Sequence, residues 1–201
     1  MALTLKTSIK GAGSSTAVIV PSKPSPLTVT YNGLLAEIAA FQVKLAALGV
    51  KTGAPVSISL VNSYEFIISF LATAWQRGVA APLNPAYKQD EFEFYIEDVK
   101  SALVLVPRGA VAADSPAVRA ARKFNAAIAE CYWDSAKGEV ALDVKDAGRL
   151  GVHVPVQEAQ PDDVALVLHT RYVLALRSLS VSMCVQILTL SLVERPPGPK
   201  L

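Results

Sequence analysis

Few side chains in this 201-residue chain have the type and spacing that chemistry needs. His153 and His169 are its only histidines, and Cys131 and Cys184 its only cysteines. They show no zinc spacing, so no metal ligand set is expected, and two cysteines make no disulfide framework. Lys88, Asp90, Glu91 and Glu93 bring charges close together, yet on a helix they make a solvated face rather than a reactive cluster. Cys131, Tyr132 and Trp133 are read as packing residues. The clearest chemical signal is positional. The stretch DDVALVLHT, residues 162–170, reads as a buried strand that arrives at a polar end, the arrangement that delivers a loop to an active site. His169, near its end, is expected to be packed and hydrogen-bonded rather than a ligand.

The elements that would position this strand can be read upstream. Residues 17–20 and 27–31 are short β-rich runs split by a proline-rich turn. Leu34, Ile38, Phe41, Leu45 and Leu48 then share one helical face, and Gly49 stands where a left-handed cap belongs. Val56, Ile58 and Leu60 mark a strand. Asn62 with Glu65 predicts a capping box for the next helix, which stops near Gly78. A short apolar run at 79–83, a helix with Phe92, Tyr95, Ile96 and Val99 on one side, and the continuous run at 103–106 come next. Such a continuous run predicts a strand covered on both faces. Residues 116–129 read as helical, 130–133 and 140–144 as short strands, and 164–169 as a last buried strand. Strands alternating with helices at this pitch predict an α/β fold, layered with a largely parallel sheet.

Composition narrows the partners. The net charge of +2 is too small to predict nucleic-acid binding. Four of the 19 basic residues (Arg171, Arg177, Arg195, Lys200) but only one of the 17 acidic ones (Glu194) lie beyond Thr170. The part before Thr170 is therefore near neutral. Free reduced thiols fit an intracellular compartment, and the first residues carry no secretory pattern.

Four strings in order carry a family likeness: VTYNGL, GVKTGAPVSISLVNSYEFIISFLA, AAPLNPAYKQDEFEFYIEDVKSALVLV and QPDDVALVLHT. Together they resemble the N-terminal part of the adenylate-forming acyl-CoA synthetases, most nearly the oxalate–CoA ligase-like group of fungi and plants. The resemblance runs from about residue 16 to Thr170. It implies a partial N-terminal region of the adenylate-forming ligase fold. It also implies a subsequent loop of the form T-S-G-T-T-x-R-P-K, in which glycines, amides, hydroxyls and a lysine hold ATP phosphates. Thr170 is the one residue of that loop present, and so the one nucleotide-contacting candidate.

The segment after Thr170 is apolar and lacks acidic residues, glycine and lysine as far as Leu192. Its length is near that of a membrane span, but Arg177, Gln186 and several serines interrupt it, which argues against one. Back-translation offers another origin. A loop S-G-T-T-S-R-P-K-A read one base late yields V-E-R-P-P-G-P-K-L, which is residues 193–201. Codons for Arg171, Tyr172 and Val173 can contain GTATGT, and those for Leu192 and Val193 can supply TAG. Residues 171–201 are therefore expected to be a retained intron of roughly 65 nucleotides plus a frame-shifted stub, an aberrant apolar tail. The organisation expected is a poorly ordered 1–15, the synthetase-like region 16–170, and this tail.

For an intact relative the resemblance implies activation of a carboxylic acid by ATP to an acyl-adenylate and its transfer to coenzyme A, with Mg²⁺. No cofactor and no catalytic residue are expected for this chain, which lacks the loop. Its expected partners are a full-length relative or, through uncovered apolar surface, copies of itself in aggregation. The alternatives are a non-catalytic interaction module and a small membrane-anchored protein through residues 172–193. A cytoplasmic or peroxisomal location is expected, because the final Pro-Lys-Leu resembles a peroxisomal address.

Overall fold

The computed structural model describes residues 4–21 and 26–169. A short helical turn, α1 (Leu5–Ser8), precedes an antiparallel hairpin of β1 (Thr16–Val20) and β2 (Leu27–Thr30). The long helix α2 (Tyr31–Leu48) begins where the Thr30 hydroxyl accepts from the Gly33 amide. It ends at Gly49, whose φ of 102° lets its amide donate to Leu45 and Ala46. A left-handed residue closing a helix in this way is the sequence expectation met. A Cβ at Gly49 would also lie 2.7 Å from the Val152 carbonyl oxygen. Gly49→Ala is thus strained twice, and is expected to cost about 1–3 kcal/mol. Urea unfolding measures this, and an unchanged midpoint would contradict the crowding.

Three strand–helix units come next: β3 (Pro55–Ile58) with α3 (Tyr64–Trp75), β4 (Val79–Pro82) with α4 (Gln89–Asp98), and β5 (Leu103–Val106) with α5 (Pro116–Lys123). The chain then makes a hairpin of β6 (Ala127–Asp134) and β7 (Glu139–Asp146). The sheet order is β4-β3-β5-β6-β7, parallel as far as β6 and antiparallel at the β7 edge. This is the α/β sheet the alternation predicts.

Burial explains the layering. On β5, Leu103 and Leu105 join the core under α2 and α3, with Phe41, Ile38 and Ile68. Val104 and Val106 face the other way, against Phe92 and Ile96 of α4 and Val118 of α5. All four β5 side chains are fully buried, as a strand covered on both faces requires.

Three local expectations are corrected. The cap of α3 is Ser63, whose hydroxyl accepts from the Phe66 amide, and not Asn62. Glu65 is drawn instead to the neighbouring strand, where its carboxylate accepts from the Trp133 amide at 2.8 Å. The helix predicted over 116–129 stops at Lys123, because Asn125 turns to a φ of 52° and the chain enters β6. Ala127 and Ala129 favour helix locally, but the crowded sheet interior takes small side chains, and packing overrides propensity. Finally, 164–169 is not a buried strand. It lies outside β4, joined by one parallel bridge between Ala80 and Leu166, and leaves Val164 and Leu168 41% and 48% exposed.

Candidate functional site

Ligands of open parallel sheets bind where strands end at their carboxyl termini. In this chain the polar groups at that edge are largely committed locally. The Asn84 side chain accepts from the Ala86 amide at 2.9 Å, making its own turn. Ser63 caps α3. Arg108 lies 4.7 Å above the Tyr132 ring, and Tyr87 packs between Phe92 and Tyr95. The turns after β5 and β6 hold single glycines, Gly109 and Gly138, at φ 85° and 68°. Each serves its own turn: the Ala110 amide closes on Pro107, and the Gly138 amide on Asp134. Among the described residues this edge offers no cluster of glycines, amides and lysine of the kind that seats a triphosphate.

The segment leading towards Thr170 is tied down, though. His169 Nε2 is 2.9 Å from a carboxylate oxygen of Asp98, and its ring stands 4.6 Å from the Tyr95 ring. It is the packed, hydrogen-bonded histidine expected. Thr170 itself, the one candidate for nucleotide contact, lies outside the described residues, as does the whole tail 171–201. Among the described residues no helix is long and apolar enough to cross a membrane.

The other candidates behave as scaffold. Glu91 accepts from the Lys88 amide at the start of α4, while Glu93 binds Lys123 and accepts from Gln89. The Lys123 ammonium, through that hydrogen bond, holds the Glu93 carboxyl below its ordinary range. Cys131 is buried, and burial, reinforced by the charge of Glu65, pushes its thiol far up, so no thiolate forms at neutral pH. Trp133 meets Tyr64 edge to face at 5.6 Å.

Sequence reasoning missed a set of residues at the opposite, amino edge of the sheet. A groove of about 540 Å³ there is lined by Thr52, Gly53, Arg77, Asp98, Asp163 and Val167. Arg77 crosses it to Asp163 with both Nε and a terminal nitrogen, at 2.9–3.1 Å. Hydrogen bonding from Arg77 lowers the Asp163 carboxyl below its ordinary range. A depressed carboxyl stabilises the fold above its unfolded pKa, about 3.9, and loses that contribution as pH falls through its folded value. Urea midpoints are thus expected to drop from pH 6 to pH 3, and to drop less in Asp163→Asn. Equal drops in both proteins would contradict the pairing. Deeper in, Gln42 and Gln76 bridge α2 and α3 to the irregular residues 155–157. One signal was available: Gln42 stands four residues after Ile38, on an apolar helix face.

Comparison with known proteins agrees with this architecture. The AMP-binding enzyme family matches residues 5–170. The chain is similar to the oxalate–CoA ligase of Saccharomyces cerevisiae, 31% identical over 178 residues, covering 77% of this chain and 32% of the relative. It is also similar to the oxalate–CoA ligase of Arabidopsis thaliana, 37% identical over 122 residues, covering 61% of this chain and 23% of the relative. The chain thus spans about a third or less of these relatives' length. Among solved structures, apo MatB from Rhodopseudomonas palustris superposes with a TM-score of 0.63 at 22% identity, over 83% of this chain and 31% of that one. At that identity the likeness concerns the fold.

Proposed function

The chain belongs to the AMP-binding enzyme family, among the acyl-CoA ligases, and from that premise we propose that it is the N-terminal scaffold of such a ligase without catalytic competence of its own. Residues 26–169 supply the sheet and the irregular segment after β7 that lead to Thr170. In an intact relative the next residues would hold the phosphates of ATP while a carboxylate attacks. The observation that carries the proposal is the sequence after Thr170, where Arg171 to Leu192 includes neither glycine nor lysine. One threonine hydroxyl cannot spread the charge of a triphosphate. Adenylation and thioester formation are therefore assigned to relatives that carry the loop.

The origin of the altered tail belongs to the same proposal. A retained intron and a shifted frame account for residues 193–201 together, whereas drift would have to produce them one by one. Sequencing the transcript across codons 170 to 193 tests this, and a genomic segment without the two splice borders contradicts it. Activity is tested by incubating the purified chain with ATP, Mg²⁺, oxalate and coenzyme A. No oxalate-dependent thioester or pyrophosphate is expected. Either product above a no-enzyme control would overturn the assignment.

A further inference from the structure

After β7 the chain must cross from one edge of the sheet to the other, and residues 147–163 do so with no helix or strand among them. Position must therefore come from individual anchors. The Gly151 and Val154 amides donate to Leu48 and Ala46, at the end of α2. The Gln42 and Gln76 amides hold the carbonyls of Gln157 and Pro155. Last comes the Arg77–Asp163 fork. Only then does the chain meet β4, through two backbone hydrogen bonds on Ala80, from its amide to Ala165 and to its carbonyl from Val167.

We propose that Arg77 is a positioning residue that sets the register of the strand leading to Thr170, with residues 147–163 as the strap it fastens. Two observations carry this. First, the ion pair and the bridge share one register. Arg77 stands three residues before Ala80, and Asp163 three before Leu166, on chains that run parallel. A single bridge specifies register weakly, and a slip of one residue would exchange the faces of the whole segment. A fork of parallel N–H···O bonds tolerates no such slip, because both guanidinium nitrogens must meet the carboxylate. Second, Arg77 occupies a position that costs energy. Its φ is 61°, in the left-handed region just past α3, where glycine is the unstrained choice. At Arg77 that strain is offset by the fork its far end makes with Asp163.

The inference rests on the proposed function only for the purpose it gives the strand. The register itself involves no nucleotide, so its test is independent of ATP binding. The experiment is amide hydrogen exchange on the full chain, corrected for intrinsic rates and read at Val167 and across β5. In the unaltered protein Val167 is expected to be protected. Arg77→Gly is expected to raise its exchange about tenfold or more while leaving β5 unchanged. Glycine relieves the left-handed strain and so offsets the lost ion pair, and the global urea midpoint should change little while local protection is lost. Arg77→Lys, which keeps charge but not the fork, should restore protection only in part. The inference is overturned if Val167 is unprotected in the unaltered chain, if Arg77→Gly leaves it protected, or if β5 loosens to the same degree.

Discussion

Gln76→Ala is expected to cost about 3–5 kcal/mol, among the largest losses any single substitution in this chain would cause. Gln76 is fully buried and uses its amide completely. Its Nε2 donates to the carbonyls of Val50 and Pro155 at 3.1 Å each, and its Oε1 accepts from the Gln157 amide and from Gln42 Nε2. Alanine would remove a hydrogen bond from each of four partners. Each buried group without a partner costs about 1–3 kcal/mol, less where water can enter. Gln42 keeps its bonds to Trp75 and Gln157, which sets the upper bound. Urea unfolding followed by the fluorescence of Trp75 and Trp133 measures the loss. Limited proteolysis should show first cleavage near residues 155–157. A loss under about 1 kcal/mol would mean that the amide network is not what holds the strap.

The second large effect is apolar. Phe41→Ala is expected to destabilise by about 3–5 kcal/mol. Phe41 lies at the centre of the buried face of α2, with no exposed surface, in the cluster that includes Ile58, Ile68 and Leu105. The cost has two parts, the lost transfer of the ring from water and the cavity that β3 and β5 cannot collapse to fill. It differs from the glutamine effect in where it acts. Phe41→Ala should loosen the sheet and α2 together, so β5 amides exchange faster. Gln76→Ala should act first on residues 155–157. A loss of stability under about 1 kcal/mol would contradict the packing.

The scaffold was legible where one physical effect dominates. The face from Leu34 to Leu48 and the cap at Gly49 follow from periodicity and a left-handed backbone, and both are found. The unbroken apolar run of β5 spoke for burial on two faces, and it is buried so. Reading failed where local preference and neighbours compete. Ala127 and Ala129 look helical until a crowded sheet claims them. Glu65 looks like a capping partner until the Trp133 amide arrives from a strand 68 residues on. Val164 and Leu168 are as apolar as β5, but whether such a run is covered depends on what packs against it. The strap was invisible because its anchors, Gln76 with Pro155 and Arg77 with Asp163, are polar pairs separated by most of the sheet in sequence. Of the site, the position of the segment towards Thr170 was legible through the family strings before it, while its apolar run wrongly spoke for a buried strand. Thr170 itself lies outside the described residues.

On the proposed reading, this chain folds around a ligase sheet yet offers a triphosphate no seat. Calorimetric titration of the purified chain with ATP and Mg²⁺ tests it most directly. No saturable heat is expected up to millimolar nucleotide. A saturable isotherm with a micromolar dissociation constant would contradict it.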